Sequence, residues 1–167
     1  MAVFAQLQRL QPGALLTALL LALLLWLPPG TAQASVAQRW SSADSHGDRW
    51  QLSLFEQSDP AYAGGWRLRL NGLSPGIQPD HAQALQLRDG LGGEWQLGNL
   101  SAELVPPGGS APPPGSAQFD LAPLQPRPSD ALPLGLELAM ADGSVRQLTL
   151  GVGSVQALSQ LPSGDSP

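Results

Sequence analysis

Residues 132–150 read LPLGLELAMADGSVRQLTL, and their alternation decides the fold. Leu132, Leu134, Leu136, Leu138 and Met140 fall on every second position, as do Leu148 and Leu150 after the turn formers Asp142 and Gly143. A period of two places one apolar face on an extended strand, because successive side chains point to opposite sides of a sheet. Facing residues of an antiparallel pair must share a side, so paired numbers must sum to an even value if both leucine sets face inward. A two-residue turn at Asp142-Gly143 gives an odd sum. A three-residue loop, Ala141-Asp142-Gly143, restores parity, pairs Leu136 with Leu148 and Leu134 with Leu150, and puts Gly143 in the left-handed position of a type I turn with a G1 bulge.

The same rule extends upstream. A loop Ser45-His46-Gly47 with Gly47 left-handed pairs Trp40 with Leu52. Trp50, Leu52 and Leu54 share one strand face, and Trp66, Leu68 and Leu70 another, with Arg67 and Arg69 pointing the opposite way. Leu85 and Leu87, Trp95 and Leu97, and Phe119 and Leu121 continue the pattern, and Val152 extends that of Leu148 and Leu150. In Arg88–Gly93 either Asp89-Gly90 or Gly92-Gly93 serves as the tight point. No stretch shows the 3.6-residue period over the length a helix needs. The fold class is therefore all-β, with seven or eight short antiparallel strands. Two sheets packed face to face are expected, in preference to a partly open barrel. Pro133 cannot donate to a ladder and belongs at a strand start or edge. Pro106–Gly115, with five prolines and three glycines, reads as an exposed, partly polyproline loop.

The N-terminus has a different character. After Arg9, the run from Ala14 to Leu27 is uncharged and apolar over 14 residues, short of the roughly 20 that span a bilayer. Pro28-Pro29-Gly30 breaks it, and Ala32-Gln33-Ala34 offers the small-x-small pattern of a cleavage site. Residues 1–34 are read as a secretory signal peptide cleaved before Ser35, 35–161 as one β domain, and 162–167 as a disordered tail. No cysteine is present to acylate and no Arg-Arg pair precedes the run, so export in the unfolded state is expected. Without cysteine, the mature fold must rest on its hydrophobic core in an oxidising compartment.

All eight basic residues are arginine; with Arg9 removed, seven face 13 acids, a formal charge of −6. That balance argues against nucleic acid and against adhesion to anionic lipid. After cleavage no stable membrane insertion is expected, and the domain is expected to be a monomer.

The residues that could carry chemistry are few. Asp44-Ser45-His46-Gly47-Asp48 gathers an imidazole, a hydroxyl and two carboxylates, but on an exposed turn where nothing orients them. Asp80-His81 follows Pro79 in a loop; adjacent residues point apart, and neither a cysteine nor a G-x-S-x-G elbow accompanies them. Gly90-Leu91-Gly92-Gly93 precedes a strand, not the helix a phosphate loop opens. Arg67 and Arg69 share an outward strand face and are the candidate partner-binding residues, since paired guanidiniums grip carboxylates; the alternative is that they only solubilise the sheet. Trp40, Trp50, Trp66 and Trp95 have inward parity and belong to the core rather than to a sugar-binding face. Asn99-Leu100-Ser101 matches the unspecific glycosylation sequon. No catalytic, cofactor or metal site emerges. The reading favoured is an exported, non-enzymatic interaction or assembly module with an unknown protein partner. The alternative is a small-molecule or glycan binder, or a minor hydrolase, centred on Asp80 and His81 or on exposed tryptophan.

The order of the G-x-x-W hairpin (Gly47 to Trp50), Leu68-Arg69-Leu70-Asn71-Gly72 with Pro75-Gly76, Phe119-Asp120-Leu121-Ala122-Pro123-Leu124 and the closing Leu134–Leu150 hairpin resembles a cyanobacterial family of short exported proteins that carries only a domain-of-unknown-function label. The likeness covers about Ser35 to Leu161. It implies a periplasmic or thylakoid-lumen location and no activity or cofactor. The insert Pro106–Gly115 departs from that family's pattern.

Overall fold

The structure is a computed structural model, and it describes residues 36–162. The expected signal peptide, its cleavage site and most of the expected tail lie outside the described residues. Eight strands form two antiparallel four-stranded sheets. The first has the order β1 (Val36–Ala43), β2 (Arg49–Gln57), β3 (Gly65–Gly72), β6 (Ser116–Asp120). The second has the order β5 (Glu94–Leu97), β4 (Leu85–Asp89), β7 (Leu134–Ala139), β8 (Val145–Leu150). A short 3-10 turn (Ser101–Leu104) follows β5, and one helix, α1 (Val152–Ser159), closes the described chain.

Side-chain alternation sets this architecture. Trp50, Leu52, Leu54, Leu68 and Leu70 of the first sheet and Leu85, Leu87, Leu97, Leu134, Leu136 and Leu138 of the second meet in one cluster of almost fully excluded residues. Trp95 belongs to it, and Trp40 and Trp66 pack against its rim, as their parity predicts. The predicted registers hold: Trp40 faces Leu52, Leu136 faces Leu148 and Leu134 faces Leu150.

The three tight hairpins share one device. Gly47, Gly92 and Gly143 take φ of 84°, 89° and 81°, each as the third loop residue before a G1 bulge. The amides of Asp44, Asp89 and Met140 donate to the carbonyls of Asp48, Gly93 and Ser144 across the loop base. In Arg88–Gly93 the loop is Gly90-Leu91-Gly92, so neither expected pair, Asp89-Gly90 or Gly92-Gly93, is the turn by itself. In two of the hairpins the residue before the loop is an aspartate whose Oδ1 accepts amides two and four residues on: His46 and Asp48 at Asp44, Leu91 and Gly93 at Asp89.

The sheets are joined at their corners without closing into a barrel. Asp44 bridges Leu148, and the Ser45 amide donates to Gln147 O at 2.8 Å, which links the end of β1 to β8. On the opposite side Gly98–Leu100, running on from β5, covers the outer edge of β6: Asp120 N donates to Gly98 O and Leu100 N to Gln118 O. A free edge would invite strand addition; the first crossing ties the ends of β1 and β8 together and the second covers β6.

Two expectations are corrected. The chain is not helix-free: α1 buries Val155, Ala157 and Leu158 against the core. Val152 accordingly does not extend β8; the strand ends at Leu150, and Val152, the first helical residue, is half exposed. Pro133 lies just before β7, and Pro106–Ala111 runs exposed.

Candidate functional site

The outward face of the first sheet carries successive rows of polar side chains. Cross-strand register places Arg39, Ser53, Arg69 and Gln118 in one row over β1, β2, β3 and β6. A second row runs Ser41, Gln51, Asn71, Ser116, and a third brings Phe55, Arg67 and Asp120 together. Arg49, at the start of β2, shares this side because Trp50 points inward. The parity of the two predicted arginines was right, but their environments differ.

Arg67 is not solvated. It is 2 % exposed, although it lies on the face away from the core. The 3-10 turn brings Glu103 over it: Nε and Nη2 donate to the two Glu103 oxygens at 3.2 and 3.1 Å, Nη2 also to Ala63 O at 2.6 Å, and Nη1 reaches Asp120 Oδ1 at 3.4 Å. Glu103 Oε2 further accepts from Gln57 Nε2 at 2.8 Å and Gln118 Nε2 at 2.6 Å. A buried guanidinium survives only when its charge and donors are met, and here one carboxylate meets most of them. Arg67 is thus a structural ion, and the expectation that it offers itself to a partner is corrected by that burial.

Arg69 differs. Its Nε and Nη2 donate to a neutral acceptor, Gln118 Oε1, at 2.9 and 2.7 Å, and its guanidinium carbon lies 4.8 Å from the Phe55 ring centroid. Phe55 is 2 % exposed and lies outside the core cluster, so the planar cation forms part of its cover, a stacked geometry that guanidinium favours. Burial pushes the Arg69 guanidinium below its ordinary range, opposed by the negative charge of Glu103. Among the described residues no carboxylate lies within 4 Å of Arg69, Arg39 or Arg49, whereas Arg67, Arg88 and Arg146 are all ion-paired.

The other candidates are taken up by structure. Asp44 is buried; its Oδ2 accepts Trp50 Nε1 at 3.0 Å and faces Arg146 Nε at 4.0 Å. Burial alone would raise its pKa, but the bonds from Trp50, His46 and Asp48 and the charge of Arg146 outweigh it and hold the carboxyl below its usual range. His46 sits exposed at the turn tip, its Nδ1 3.2 Å from Ser45 Oγ. Asp80 Oδ1 accepts the Ala82 amide, while His81 Nε2 lies 2.8 Å from Ser116 O; the two side chains serve separate backbone groups. Asn99 donates to Gln83 O at 2.9 Å and accepts from Ser101 N, so its amide is committed to the loop. No group of three or more potential metal ligands occurs among the described residues.

Gln118 and Glu103 are the residues that the sequence left unread. Gln118 had a signal: it stands between inward Ala117 and Phe119, in register with Arg69. Glu103 lies in a stretch without periodicity, and nothing in the chain order says that it returns over β3.

Fold and face together define a cysteine-free antiparallel β-sandwich with a polar, arginine-bearing outer sheet surface. The chain belongs to the family described as "Protein of unknown function (DUF3122)", which it matches over residues 30–158. No curated protein and no solved structure matches it.

Proposed function

We propose that the protein is an exported, non-enzymatic interaction or assembly module of the cell envelope or thylakoid lumen, docking through the outward face of its first sheet. The observation that carries this reading is the charge imbalance of that face. On a chain with an acidic excess, three arginines on one sheet surface lack a carboxylate within 4 Å among the described residues. Charge left uncompensated on a rigid surface steers association and selects partners more than it stabilises a fold. The N-terminal pattern of Arg9, an apolar run and Ala32-Gln33-Ala34 supports export.

The test is fractionation of cells producing the tagged full chain, followed by capture from the envelope fraction with wild type and with Arg69→Glu. The reading expects the chain in that fraction with a partner that wild type retains and the variant releases. Equal retention by both, or accumulation of the chain in the cytoplasm, overturns it. Arg67→Glu is unsuitable, because it would place three carboxylates together in a buried site.

A further inference from the structure

The row Arg39–Ser53–Arg69–Gln118 has properties that choose among ligands. Arg39 and Arg69 stand two strands apart, about 10 Å at ordinary ladder spacing, with the small and buried Ser53 between them. Arg39 is exposed. Arg69 is held by Gln118 and Phe55, and its Nη1 is left without a protein acceptor among the described residues. A guanidinium fixed in this way has already lost most of its rotamer freedom, so a bound anion need not order it. The adjoining row of Ser41, Gln51, Asn71 and Ser116 offers uncharged donors and acceptors.

From these observations we infer that the row is a docking site for an acidic polypeptide segment, two of whose carboxylates are taken by Arg39 and Arg69; the inference rests on the reading of the preceding subsection and names its partner's chemistry. Carboxylates three residues apart on a polyproline-II segment lie on one side of it about 9 Å apart, close to the separation of the two arginines. The planar fork of arginine matches a carboxylate through two parallel hydrogen bonds. The uncharged row beside it suits the backbone amides of such a segment. An anionic bilayer fits less well, since a broad anionic surface meets the chain's whole acidic excess, whereas a narrow segment meets mainly the row itself.

The probe is a hexaglutamate peptide, titrated by calorimetry into the protein recovered from the envelope fraction. Vesicles containing phosphatidylglycerol serve as the second arm. Wild type should bind the peptide at low ionic strength and lose it as salt rises toward about 0.3 M. Arg69→Glu and Arg39→Glu should each weaken it roughly tenfold or more. Arg88→Glu, on the opposite sheet and already ion-paired, should bind as wild type does. Arg39 is exposed, so its variant keeps the test valid even if Arg69→Glu unfolds. No peptide binding by wild type overturns the inference, as does equal binding by wild type and Arg39→Glu, vesicle binding without peptide binding, or a response explained by self-association of the chain. If capture from the envelope depends on Arg69 while hexaglutamate does not bind, the partner is not acidic: the inference fails and the docking reading survives. If capture does not depend on Arg69, the docking reading itself falls.

Discussion

Glu103 shows how much one side chain can carry. It accepts from Gln57, Arg67 and Gln118 and is nearly buried beside a guanidinium that is 2 % exposed. Truncating it leaves that cation with Asp120, whose carboxylate is more distant and one-third exposed. Breaking a buried pair from one side costs about 3–5 kcal/mol, a large share of the stability of a domain of this size. Glu103→Ala should therefore lower the urea midpoint by an amount corresponding to that loss. The double variant Arg67→Met, Glu103→Gln should recover most of it, because it removes the uncompensated charge along with its partner. Equal losses in the single and double variants would show that the 3-10 turn depends on the carboxylate for some reason other than Arg67.

At the scale of elements, the first hairpin holds an acid-sensitive joint. Asp44 fixes its own loop, receives the Trp50 indole N–H from β2 and faces Arg146 of β8, so one carboxylate connects both sheets. Its pKa is lowered in the folded chain from the ordinary 3.8. The sign follows from linkage: the folded state favours the charged form, so the contribution is fully present above the unfolded value and is lost as pH falls through the folded one. Thermal midpoints measured from pH 6 down to pH 2 should fall more steeply below about 4 for wild type than for Asp44→Asn, which has no charge to lose. Parallel curves would remove the joint from the account. The hairpins were legible in the sequence because parity and a glycine at the third loop position are local facts, and Trp40–Leu52 and Leu136–Leu148 followed from them. Helix α1 was not legible, because Val155, Leu158 and Leu161 make barely two turns, too few for a 3.6-residue period to separate from the preceding alternation. The burial of Arg67 was hidden for a different reason. Its cover arrives from Glu103, 36 residues away, through a tertiary contact that no local pattern encodes.

For the whole molecule, α1 belongs to the core that the two sheets share and not to the arginine-bearing outer face. Its Val155 and Leu158 are fully excluded from solvent, and Leu161 is nearly so. The chain after it is tied down where Arg127 Nη2 donates to Pro162 O at 2.9 Å and Nη1 to Leu124 O at 3.2 Å. Burying each large aliphatic side chain is worth about 1.5–3 kcal/mol, so losing three removes an amount comparable to the whole net stability of an ordinary domain. Ending the chain at Gly151 should thus abolish cooperative unfolding and leave collapsed protein without near-ultraviolet circular dichroism, although every strand remains in the sequence. Leu158→Ala alone should cost about 2–5 kcal/mol and keep the transition cooperative. A truncated chain that still unfolds sharply, with its midpoint near that of wild type, would mean that the two sheets hold each other without the helix.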